Sequence, residues 1–190
     1  ADSPYKTIEE LVAAAKEKGN LKASTNGNKA SNHTAAQLLA KSAGFKYKAI
    51  PYGGTADQLL ALRQGEVDFT CAKVADVAKL VKGDKPELRV LAVFNTKRDP
   101  ELPNVPTLGE KGLYPEWYGS ARALVAPKGT KPEVIQYYVE AFKKTMQDPA
   151  VIEAHKKAGM ALDFKDNKEL GDLIKAQDKF ARDVVNDLYK

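Results

Sequence analysis

Residues 23–35, Ala-Ser-Thr-Asn-Gly-Asn-Lys-Ala-Ser-Asn-His-Thr-Ala, carry the residue types best suited to holding an anion. A short β-prone run, Leu21 to Ser24, ends in a polar turn containing glycine, and the turn feeds directly into a helix-like segment. The first amides of a helix have no partner within the helix, and the macrodipole adds partial positive charge there. Ser24, Thr25, Asn26, Gly27, Ser31 and His33 crowd that start, so a carboxylate or phosphate is the ligand such a turn suits. A second junction of the same kind follows at Tyr52, Gly53, Gly54, Thr55 and Ala56. Taken singly, the hydroxyl residues are equally at home as helix caps and turn formers. Two such junctions at the carboxyl ends of strands, the edge where open α/β sheets bind ligands, turn the reading toward a site. Tyr52 adds an aromatic wall; Lys29 is either a flexible cation able to pair with a second carboxylate or an ordinary solvated lysine, and Lys73 is a candidate for the rim.

Catalysis finds no support in the motifs. His33 sits at the first junction, where it either makes local hydrogen bonds or contacts ligand and orients the loop. His155 lies among Ala154, Lys156 and Lys157 on a face that reads as solvated. Neither histidine has the Ser/Asp or Cys/Asp neighbours of a nucleophilic triad. No His/Cys/acid cluster has metal-ligand spacing, and no dinucleotide or Walker glycine pattern occurs, so neither metal nor cofactor is implied. Cys71 is the single cysteine and reads as a small buried hydrophobe. Asp68 reads as structural.

The elements that must position these residues alternate between strand and helix. Thr7-Ile-Glu-Glu10 reads as a capping box opening a helix with Ile8, Leu11, Val12 and Ala15 on one face. A strand at 21–25 leads to a helix near 31–43 that Gly44 ends. Tyr47 to Ile50 is a strand stopped by Pro51. Thr55-Ala-Asp-Gln58 reads as a second capping box, starting a helix that stops at Gly65. Val67 to Ala72 is a buried strand, 74–82 a helix, and Leu88 to Phe94 the most hydrophobic strand. This βαβαβαβ order predicts a mostly parallel sheet flanked by helices. Four prolines make 95–116 a long loop around one short helix at Thr107–Glu110, and 117–126 returns to strand character. Thr130-Lys-Pro-Glu133 reads as a capping box for a helix striped with Val134, Ile135, Tyr138, Val139, Phe142 and Met146. A last helix, about 167–189, should bury Leu170, Leu173, Ile174, Phe180, Val184 and Leu188. These two apolar stripes have no sheet of their own to cover, which points to a second lobe or another subunit.

With 190 residues and 43% apolar content, the chain can fill one large domain or two small lobes. No run approaches the ~18–20 apolar residues of a membrane span, and residues 1–15 lack a signal-peptide layout. The net charge of +5 comes with Lys and Glu alternating along helix faces, and no basic cluster is interleaved with aromatics, so nucleic acid is not the expected partner.

Six ordered motifs carry a resemblance. Ser24-Thr-Asn-Gly27 with Ser31-Asn-His33, Ile50-Pro-Tyr-Gly-Gly-Thr55, Gly65-Glu-Val-Asp68, Leu88-Arg-Val-Leu-Ala-Val93, Lys97-Arg with Leu102-Pro-Asn-Val-Pro-Thr107, and Ala126-Pro-Lys-Gly-Thr130 together resemble the substrate-binding proteins of tripartite tricarboxylate transporters, the Bug or TctC family. The resemblance implies a periplasmic-binding-protein-like (type II) α/β fold. It also implies a two-lobed extracytoplasmic receptor that holds a small organic carboxylate and passes it to membrane permease subunits, without chemistry on the ligand. On this basis 1–118 is the second-lobe ligand-binding domain, and 119–190 a crossover strand with C-terminal helices that belong to an incomplete first lobe. Family members carry a further N-terminal segment before the helix at Thr7–Lys18, so a homodimer or swapped oligomer is expected if a lobe is missing. Lys29 stands where small residues are common and Gly53 where lysine is common. The competing readings are a cytoplasmic effector-binding regulatory domain and a small-molecule enzyme using the junctions for a phosphorylated substrate.

Overall fold

The computed structural model describes residues 2–189 and divides into two compact units, Ala1–Gly119 and Ser120–Lys190. In the first, α1 (Ile8–Lys18) starts at the capping box read from sequence. Glu10 N–H donates to Thr7 Oγ1 at 3.2 Å, and Thr7 N–H donates to the Glu10 carboxylate at 3.3 Å. Ile8, Leu11, Val12 and Ala15 are buried, and Gly19 closes the helix at φ 65°, a left-handed conformation that costs glycine little. Next come β1 (Lys22–Thr25), α2 (Ser31–Ala43, closed by left-handed Gly44), β2 (Lys48–Pro51) and α3 (Thr55–Arg63). β3 (Phe69–Thr70) and α4 (Val74–Val77) complete the regular elements of this unit.

The sheet is parallel, in the order β2-β1-β3. Ser24 lies opposite Ile50 on one side and Thr70 on the other. Pro51 is tolerated because β2 is an edge strand, where a missing N–H breaks no ladder on the open side. Asp68 secures the start of β1, its carboxylate accepting the Lys22 N–H at 2.7 Å, as its structural reading requires. The main core packs α1 and α2 on β1 and β3 through Leu11, Leu21, Leu39, Phe45, Phe69 and Leu108. A smaller cluster gathers Leu59, Val77 and Leu88.

Several expected elements differ. Leu88–Phe94 forms no strand; its one ladder contact is a bridge between Val93 and Thr107. Its side chains are covered nonetheless, with Leu91, Ala92 and Phe94 packed on the main core and Val90 on the smaller cluster. β3 is two residues long and offers a fourth strand little edge to pair with. The helix expected over 74–82 is α4 alone, continued by a turn in which Leu80 N–H donates to Val77 O. Thr107–Glu110 keeps reciprocal capping bonds but closes as consecutive i→i+3 turns rather than a helix. The stretch 117–126 is not a strand. Thr55 is the first residue of α3 rather than its cap: Gly54 holds the cap position, no side chain caps the helix, and Gln58 turns inward.

The second unit contains α5 (Pro132–Gln147), α6 (Pro149–Lys157) and α7 (Asn167–Phe180), the last running on through a π-helical turn over Ala181–Val185. Thr130 is not the cap of α5; its hydroxyl donates to Pro127 O, and the helix starts at Pro132, whose fixed φ suits a first turn. Sequence reading missed α6, which Asp148 caps by accepting from the Ala150 and Val151 amides. Asp166 and Glu169 cap α7 reciprocally. None of the three helices buries a residue: Tyr138, Phe142 and Ile174 are 45–53% exposed, and Leu170, Leu173 and Phe180 are half-covered. No helix among the described residues is long and apolar enough to cross a membrane.

Candidate functional site

All three strands of the sheet run the same way, so their carboxyl ends share one edge, and α2, α3 and α4 start from it. β1 connects through α2 to β2 on one side, whereas β2 connects through α3 to β3 on the other side of β1. The loops that leave the adjacent ends of β1 and β2 therefore lead into α2 and α3 at the carboxyl edge, where open α/β sheets place ligands.

The structure brings the two sequence-read junctions together there. Tyr52 N–H donates to Thr25 O at 2.9 Å, extending the β1–β2 pairing into the loops that carry both helix starts. Ser24 and Thr25 are fully buried. The Ser24 hydroxyl donates to Gln58 O at 2.9 Å and the Thr25 hydroxyl to Gly27 O at 3.3 Å, so both side chains shape the loop from beneath. Asn26 Oδ1 accepts the Asn32 N–H at 3.3 Å, a cap supplied from the turn, because Ala30 at the cap position of α2 has no side chain for the task. Gly27 takes φ 131° and Lys29 φ 57°, backbone conformations that reverse the chain within a few residues. Ser31 opens α2, and its carbonyl accepts from the Tyr118 hydroxyl at 3.2 Å.

His33 supports the loop. Its Nδ1 accepts the Lys29 N–H at 2.9 Å, pinning the left-handed residue, and the ring is 7% exposed. Burial lowers its pKa from the ordinary 6.5. Protonation would place a charge in a desolvated position and remove the acceptor that Lys29 uses. Because the unfolded chain binds the proton more readily, the contribution of His33 to stability is complete above about pH 6.5 and is lost as pH falls below it. Melting followed from pH 8 to pH 5 should show that loss, and His33→Gln, which keeps an acceptor but does not titrate, should flatten the acid limb. Identical acid limbs would remove His33 as its source.

At the second junction Gly53 is exposed, and Gly54 adopts extended backbone, φ 175° and ψ −179°. With no side-chain cap on α3, the Thr55, Ala56 and Asp57 amides lie outside the helical ladder, whose first bond at this end is Gln58 N–H to Gly54 O at 3.1 Å. Tyr52 is half-exposed and its hydroxyl donates to Glu66 at 3.0 Å. Cys71 packs against the main core, and burial pushes its thiol up to about 12, far from a reactive thiolate. Among the described residues no group of three or more His, Cys, Asp or Glu side chains is arranged to hold a metal ion. Sequence reading missed Asn32 and Gln58, both buried and joined across the two junctions. Their polar character was visible, but their burial was not.

An edge with two clustered helix starts can hold an anion through backbone amides and small polar groups. Comparison with known proteins decides the lineage. Residues 1–188 match the profile described as "Tripartite tricarboxylate transporter family receptor" (TctC). The chain belongs to that receptor family. A "UPF0065 protein in gbd 5'region" of Cupriavidus necator is 38% identical over 150 residues, covering 78% of this chain and 45% of the relative. The crystal structure of a TctC solute binding protein from Polaromonas, without ligand, superposes with a TM-score of 0.86 at 28% identity, over 98% of this chain and 63% of that one. The periplasmic binding protein BugD gives a TM-score of 0.60 at 27% identity, over 83% and 52%. These TctC-family neighbours are solute-binding proteins, and the α/β fold with a parallel sheet is theirs. The chain spans about half the length of the curated relatives it matches.

Proposed function

We propose that this chain is the ligand-binding part of an extracytoplasmic solute receptor for a small organic carboxylate, serving a tripartite tricarboxylate-type transporter. One observation carries the reading: two helix starts from the same sheet edge meet at one place, and α3 begins at a glycine with no side-chain cap. A helix start left open in this way favours an anionic group, and the amides of Thr55 and Ala56 with the turn Asn26–Ser31 would receive it. The cap position of α2, Ala30, likewise carries no side-chain cap of its own, so neither of the two clustered starts is closed by its cap residue.

In this reading Ala1–Gly119 is the second lobe, and Ser120–Lys190 supplies helices whose apolar faces are covered by further lobe structure or by another copy of the chain. The exposure of Tyr138, Phe142 and Ile174 supports such a cover. Membrane permease subunits would be the downstream partners, and the periplasm would be the place of action, the compartment named for the periplasmic binding protein BugD. The test is a thermal-shift and calorimetric screen of the chain against di- and tricarboxylates, amino acids and aromatic acids. Stabilisation by carboxylates, growing with concentration, is expected. A flat response across all the acids would overturn the reading.

A further inference from the structure

Gln58 is the fourth residue of α3, at the end of its first turn, where an ordinary helix surface would leave a long polar side chain in water; here it is fully buried. Its amide is used at both ends. Oε1 accepts from Asn32 Nδ2 at 2.9 Å, and Asn32 is itself buried in the first turn of α2. Nε2 donates to Cys71 O at 2.7 Å and to Thr70 Oγ1. The Thr70 hydroxyl donates its one hydrogen bond to Ser24 O at 2.8 Å, and the Ser24 hydroxyl donates in turn to Gln58 O at 2.9 Å. The bonds close a ring through α3, β3 and β1, with a spur to α2.

The direction of every donor is fixed. Rotating the amide by half a turn would set its NH2 against the Asn32 NH2 and its carbonyl against Cys71 O. The position demands one acceptor on the α2 side and two donors on the β3 side, at glutamine's length. Glutamate lacks the donors and leucine lacks both. A buried network with all its members satisfied holds one arrangement, because any displacement leaves a desolvated polar group without a partner.

We propose that Gln58 is the positioning residue of the site: by joining the first turns of α2 and α3 to the ends of β1 and β3, it holds the two helix starts at the separation at which one ligand uses both. It does not touch the ligand. This rests on the carboxylate reading above and adds the residue that sets affinity within it. The ring lies across the paired ends of β1 and β3, where Ser24 stands opposite Thr70.

The experiment is calorimetric titration of the 190-residue chain with succinate, malate and citrate, for the wild type, Gln58→Leu, Thr70→Val and the double variant, each with its own melting curve. Thr70 is only half-buried, so Thr70→Val provides the reading even where Gln58→Leu does not fold. Both single variants should melt cooperatively and bind at least about tenfold more weakly than wild type. The double variant should bind no more weakly than Gln58→Leu, since both changes open the same ring. A role confined to stability would lower the melting temperature and leave the dissociation constant within about twofold, and that result overturns the proposal. Wild type that binds none of the three acids instead overturns the carboxylate reading for these ligands, and the positioning role with it.

Discussion

Leu108→Ala should lower the unfolding free energy of the first unit by about 2–5 kcal/mol, the range for emptying a well-packed leucine site. Leu108 is 2% exposed and is, among the described residues, the largest of the fully buried side chains. It packs in the main cluster with residues of α1, β1, α2 and β3. Its backbone is equally committed, with N–H to Val93 O at 3.0 Å and carbonyl from Leu113 N–H at 2.9 Å, so the turn cannot easily follow a shrinking side chain into the gap. Against a usual domain stability of about 5–15 kcal/mol, the loss is a large fraction of the total. Trp117, the single tryptophan, lies in the same unit and reports its unfolding in denaturant. The midpoint should fall with the slope unchanged. A change below about 1 kcal/mol would mean that Leu108 is not the core residue its burial indicates.

Gly54→Val should abolish carboxylate binding while leaving the fold intact. Gly54 has extended backbone that any residue adopts, and a Cβ built there meets nothing within 4 Å. The variant therefore brings no backbone strain, and its melting temperature should stay close to wild type. Its isopropyl group would occupy the open space before the Thr55 and Ala56 amides, where a carboxylate oxygen has to approach. Gly27→Val is a poorer test because Gly27 sits at φ 131°, so a lost response there would mix strain with obstruction. Unchanged affinity in Gly54→Val would remove the α3 start from the site.

Local signals were legible in the sequence wherever short-range hydrogen bonding decides the outcome. Thr7 with Glu10, Gly19 and Gly44 mark the ends of α1 and α2 through contacts between residues a few positions apart. Failures came where distant packing decides. The apolar character of Leu88–Phe94 announces burial, yet burial is achieved there without a ladder, since the two-residue β3 offers little edge. Thr55 to Gln58 has the spacing of a capping box, but Gln58 finds better partners on Asn32, Thr70 and Cys71, which lie next to it only once the chain has folded. Asp148-Pro149 carried a clear helix-start signal for α6, masked by the thin apolar stripe that follows. The polar turn at 23–35 was readable as a start of α2. The sequence did not reveal that His33 serves it from beneath, through Nδ1 and the Lys29 amide.

In the function proposed above, the starts of α2 and α3 together receive one carboxylate. Amide-resolved NMR titration of wild type and Gly54→Val in parallel, with the most stabilising acid from the screen, tests it most directly. Saturable shifts concentrated at Asn26–His33 and Gly53–Asp57 are expected in wild type, and none of them in the variant. Saturable shifts confined to other parts of the chain, or a Gly54→Val pattern identical to wild type, would contradict it.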